Sequence, residues 1–97
     1  MSNQLTARQA GALLGYLENH LNALCEHYRV KGFRKDRADN ALDELSGLRY
    51  GESGSGLSPV DAILILQFVT ETGGFENAPV ISQLNEMKKQ RKAEATQ

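Results

Sequence analysis

The sharpest chemical pattern in the chain is Gly51-Glu52-Ser53-Gly54-Ser55-Gly56-Leu57-Ser58. Its spacing is that of a phosphate-binding loop, in which glycine amides cradle phosphates, a lysine neutralises them and a hydroxyl holds Mg²⁺. Leu57 stands in the lysine's place, so the neutralising charge is missing. Such a loop must also follow a buried strand, and residues 45–50 read as the end of a helix. A weaker version survives, an anion resting on the N-terminus of the next helix, but Glu52 and Asp61 oppose it. The plainer reading is a mobile Gly/Ser loop over 51–58.

His20, Cys25 and His27 are metal-ligand types at the wrong spacing. Helical ligands share a face when three or four residues apart, whereas these are five and two apart. The expectation is surface histidines and a small buried thiol, with no metal and no cofactor. No base is spaced to activate Cys25, and a thiol beside an apolar stripe is a poor nucleophile. Apart from Asp43-Glu44, carboxylates fall singly on exposed faces, and nothing pairs two across a cleft. A small helical chain also offers little concave volume to a substrate. The residues point away from an enzyme.

Charge gives a stronger signal. Arg29, Lys31, Arg34, Lys35 and Arg37 give residues 29–37 a net +4 against the single Asp36. Residues 38–78 carry a net −6, and residues 79–97 a net +2 that includes Lys88, Lys89, Arg91 and Lys92. Two basic patches with Tyr28 and Phe33 nearby suit a nucleic-acid backbone or a phosphorylated ligand. They equally suit a solvated junction whose cations sit by the negative end of a helix dipole. The whole chain carries −1 and has an isoelectric point of about 6.1, which disfavours nucleic acid.

Periodicity supplies the elements that must hold these residues. Ala10, Leu14, Leu17, Leu21, Leu24 and Tyr28 are spaced 4, 3, 4, 3 and 4 apart, one stripe on a long helix over about 7–31. Thr6 and Gln9 have capping-box spacing at its start, and Gly32 can close its end with Phe33 folded onto Tyr28. A second helix is expected over about 36–49, with Ala38, Ala41, Leu42, Leu45 and Leu48 on one face. The third, about 59–72, opens with Ser58 as N-cap and Pro59 at the first position, then is apolar nearly all round. Gly73-Gly74 ends it. The fourth, about 78–90, carries Val80, Ile81, Leu84 and Met87, and the tail over 91–97 is expected to be disordered.

The fold class is therefore all-α: a bundle of four helices in one domain over 1–90, with the third helix central. At 97 residues a second domain does not fit, and a single Cys excludes an internal disulfide. No apolar run approaches the roughly 18–20 residues that span a bilayer. Met1-Ser2-Asn3-Gln4 lacks the build of a signal peptide, so the expected setting is the cytoplasm.

By elimination, the chain reads as a non-enzymatic protein-binding module: an adaptor, regulator or stoichiometric inhibitor of a larger protein. The first helix is about twice as long as the second and fourth, so its seam should outrun them. A homodimer through Leu14, Leu17 and Leu21 is the expected consequence. The partner surface is placed either on the solvent side of helix 1 (Tyr16, Glu18, Asn19) or at the junction of Arg29, Lys31, Arg34, Lys35 and Arg37. The alternative is a small nucleic-acid-binding regulator using the Arg29–Arg37 junction and the Lys88–Lys92 tail.

Overall fold

The computed structural model describes residues 4–95, and their side chains as far as Lys89. Its five helices are α1 (Ala7–Asn19), α2 (Leu21–Val30), α3 (Lys35–Arg49), α4 (Pro59–Thr72) and α5 (Ala78–Ala95), and no strand occurs among the described residues.

The one long helix expected over 7–31 is two. Its start is as read: the Thr6 hydroxyl accepts from the Gln9 amide, and the Gln9 side chain accepts from Thr6 N–H in return. At His20 the backbone leaves helical values (φ −127°, ψ 34°). In an uninterrupted helix the Tyr16 carbonyl would accept from the His20 amide. The His20 ring takes that carbonyl instead through Nδ1 at 2.9 Å, and the amide turns to Leu17 O at 3.0 Å. A side chain that competes for the i−4 acceptor interrupts the ladder.

The break changes what the seam does. α1 packs on α3 and α5 while α2 packs on α3 and α4, so the α1–α2 pair joins α3 to the α4–α5 pair. Leu14 and Leu17 are only 5% and 0% exposed within the single chain, and Leu24 and Tyr28 are fully buried. The expected dimer seam is thus corrected: Leu14 and Leu17 are core, and of that set only Leu21, 40% exposed, faces outward. The central role given to the third helix also passes to the α1–α2 pair. α4 is buried much as its composition implies, through Ala62, Leu64, Ile65, Leu66, Phe68 and Val69.

The Gly/Ser segment is fastened at both of its ends. Gln4 clamps Leu57 with both ends of its amide, accepting from Leu57 N–H (2.7 Å) and donating to Leu57 O (3.0 Å). Glu44 accepts from Gly56 N–H at 2.6 Å, and Glu52 N–H donates to Gly47 O at 2.8 Å. Gly47 is buried beneath the loop, and a Cβ there would run into the Ser55 hydroxyl and Cβ. Gly47→Ala is therefore expected to lower stability by about 1–3 kcal/mol, the range for overpacking. Urea denaturation measures this, and an unchanged midpoint would show that the loop is not held against α3.

At the other end, α5 runs to Ala95, past its expected stop near 90. Lys, Gln, Arg, Ala and Glu are strong helix formers and carry the backbone on. Residues 96 and 97 of the tail read as disordered lie outside the described residues.

Candidate functional site

The cationic corner lies where α2 turns into α3. Gly32 takes φ 90°, which lets Phe33 N–H reach back to Tyr28 O at 2.9 Å and brings the two rings edge-on at 6.2 Å. The Arg37 guanidinium lies over the Phe33 ring, 5.5 Å from its centre.

Beneath this turn sits a buried carboxylate that the sequence presents only as a helix-capping acid. Asp61 Oδ1 accepts from Tyr28 Oη–H at 2.9 Å and from Arg37 Nε–H at 3.2 Å, while Oδ2 accepts from the Ser58 hydroxyl at 2.7 Å. Three helices are tied at one side chain. Burial, followed by the neighbouring carboxylate, pushes the Tyr28 phenol well above its ordinary range. The unfolded phenol ionises near pH 10 and the folded one does not. Folding therefore loses stability as pH rises beyond about 10, by about 1.4 kcal/mol per pH unit for this group. Tyr28→Phe is expected to flatten that alkaline slope in denaturation series at pH 9–11. An equal slope in both proteins would contradict the buried Tyr28–Asp61 contact.

The node reassigns two expected contact residues. Arg37 is a brace for Asp61 and not a free surface cation. Tyr16 does not look out from α1: its hydroxyl meets Thr72 Oγ1 at 2.5 Å, and its ring packs against His20, Phe68 and Phe75. Thr72 already donates to carbonyls of its own helix, so Tyr16 is the donor. Glu18 and Asn19 remain exposed on α1 without Tyr16 beside them.

What the corner presents is narrower than the sequence implied. Arg29 is occupied by Glu26 at 3.0 Å, an exposed pair worth little. Lys31, Arg34 and Lys35 are exposed and have no ionic partner among the described residues. Val30, next to Lys31 in the chain and in the same groove wall, is a branched apolar side chain left 72% exposed. Periodicity could not single it out, because Val30 lies off the stripe that Tyr28 ends.

The groove, of about 350 Å³, lies between α2 and α4. Ala23, Glu26, Val30 and Lys31 form one wall, Phe68, Glu71 and Thr72 the other. His27 forms part of the lining, and it is buried at 8% exposure where a surface histidine was expected. Its Nε2 meets Leu64 O at 2.9 Å, which places the proton on Nε2, and Nδ1 faces Glu71 at 3.7 Å. The thiol expected to be buried, Cys25, is partly exposed.

The loop 51–58 does not cradle phosphate in this arrangement. It follows a helix, and the amides of Gly56 and Leu57 are taken by Glu44 and Gln4. Among the described residues no cluster of three or more His, Cys, Asp or Glu is placed to hold a metal ion. None of their helices is long and apolar enough to cross a membrane.

Compared with known protein families, with characterised proteins and with solved structures, the chain matches none.

Proposed function

We propose that this chain is a non-enzymatic protein-binding module that meets its partner through the α2–α3 corner, at Val30, Lys31, Arg34 and Lys35. One observation carries the reading: Val30 is exposed at the end of α2, and Lys31, Arg34 and Lys35, which follow it in the chain, have no ionic partner among the described residues. Unpaired like charges repel one another and raise the cost of folding, so a set kept together is best explained by an opposite surface. The absence of catalysis belongs to the same proposal. His20 spends its ring on the Tyr16 carbonyl and His27 on Leu64, so neither bond is aimed at Cys25.

The module would act stoichiometrically, as an adaptor, regulator or inhibitor. A different protein suits the corner better than a second copy, because the seam that argued for a homodimer is core. Nucleic acid is the second reading, favoured by the cations and disfavoured by Val30 and by the carboxylates of Glu26 and Glu71 in the adjoining groove.

Charge reversal tests it. Lys31→Glu/Arg34→Glu/Lys35→Glu, all exposed positions, is expected to melt within a few degrees of the parent. Tagged parent protein recovered from its native extract should hold a partner protein in near-equal amount, and the reversed variant should release it. Retention by the variant, or recovery of nucleic acid alone, would overturn the proposal.

A further inference from the structure

We infer that the break at His20 is a latch, and that releasing it lets two copies of the chain exchange α1. Local sequence and fold disagree at this joint. The apolar stripe from Ala10 to Tyr28 keeps its 4, 3, 4, 3 and 4 spacing straight through it, and residues 16–25 hold neither Gly nor Pro. Without such a breaker a helix ordinarily runs on. The break also leaves the start of α2 without a side-chain cap. An unbroken helix would pair the amides of Leu21, Asn22 and Ala23 with the carbonyls of Leu17, Glu18 and Asn19. What holds the alternative is the His20 ring, bonded through Nδ1 to Tyr16 O and stacked on the Tyr16 ring at 4.4 Å.

The break gains reach within one chain. α1 and α2 hold 13 and 10 residues against the 15 of α3, so a straight helix would carry the start of α1 past the end of α3. With the break, Gly11 lies beside Arg49, the last residue of α3, whose Cγ is 3.5 Å from where a Gly11 Cβ would stand. Most of what α1 packs on lies beyond α2: α3 and α5 receive its apolar face, and Gln4 ahead of it clamps Leu57. A neighbouring copy offers α1 those same surfaces. An identical element changes hands and only the hinge differs, which is a domain swap. The stripe stays core in both forms, so this is not association through an exposed seam. Exchange recovers the helical bonds of the joint at the cost of the entropy of joining two bodies, and with the latch closed the monomer is favoured.

Sedimentation with circular dichroism tests it. The parent chain is expected to be a monomer at high micromolar concentration. His20→Ala removes the ring and puts the best helix former at the joint, and should run at double the mass with no loss of helicity. His20→Gly loses the same ring but disfavours a continuous helix, and should stay monomeric. Asn19→Ala/Asn22→Ala, at two exposed positions, keeps the ring and favours the straight joint more weakly, so its dimer fraction should lie between parent and His20→Ala. Cross-linking tells exchange from side-by-side association. In a Cys25→Ser background, Gly11→Cys/Arg49→Cys treated with a short bismaleimide should close within one chain in the parent and between two chains in His20→Ala. A folded, monomeric His20→Ala overturns the inference, as does a dimer whose cross-link stays within one chain. So does a His20→Gly dimer as abundant as that of His20→Ala. If His20→Ala fails to fold, Asn19→Ala/Asn22→Ala decides, and a monomer no more associated than the parent overturns it.

Discussion

Asp61→Ala is expected to remove about 2–4 kcal/mol of folding free energy, chiefly the cost of leaving buried hydroxyl donors without their acceptor. The size follows from what the substitution leaves behind. Tyr28 loses the acceptor for a hydroxyl on a side chain that is 0% exposed, and Ser58 loses the acceptor for its own. Arg37 has 38% of its side chain exposed and can turn its charge to water, so its share is the smaller part. A domain of this size has about 5–15 kcal/mol in total, so the variant should be marginal at room temperature. Asp61→Asn keeps an acceptor for Tyr28 and should fall between. Chemical denaturation of the three proteins checks the order, and a loss below about 1 kcal/mol for Asp61→Ala would mean that the node is not closed in solution.

The second large effect is at Leu17. Leu17→Asp is expected to abolish folding, costing about 5 kcal/mol or more, because it combines a lost core contact with an unpaired buried carboxylate. Leu17 is 0% exposed in one chain, and no second copy is needed to cover it. The two accounts of the stripe separate cleanly here. A seam between copies would yield a folded, helical monomer on substitution, whereas a seam within the chain yields an unfolded one. Circular dichroism together with sedimentation distinguishes them, and a folded half-mass species would restore the dimer.

That contrast shows where sequence reading reached its limit. Capping chemistry and periodicity are local, and they placed the Thr6–Gln9 box, the Ser58-Pro59 start and the Gly32 and Gly73 stops where the chain has them. The break at His20 is local too, but it hangs on which donor takes the Tyr16 carbonyl, and residue type alone does not settle that competition. Once the helix divides, lengths no longer imply an uncovered seam, and the homodimer argument goes with it.

The site was legible only in part. The cationic run from Arg29 to Arg37 stands out in the sequence, but membership of a run does not tell an occupied cation from a free one. Arg37 is spent on Asp61, which lies 24 residues on, and Arg29 on Glu26. Tyr16 was misplaced for a similar reason, since its partners Phe68, Thr72 and Phe75 are distant in the chain. Val30 carried no periodic signal at all. Its meaning comes from standing exposed where α2 ends, beside side chains that only the fold assembles.

The central claim, that the α2–α3 corner is where this chain touches another protein, is tested most directly by position-specific cross-linking in native extract. Val30 would be replaced by photoreactive p-benzoylphenylalanine in one protein and Asn19 in another. The account predicts a discrete heteromeric product from position 30 that disappears when Lys31, Arg34 and Lys35 are reversed in charge, and none from position 19. A product from position 19 alone, or one from position 30 that survives the charge reversal, would contradict it.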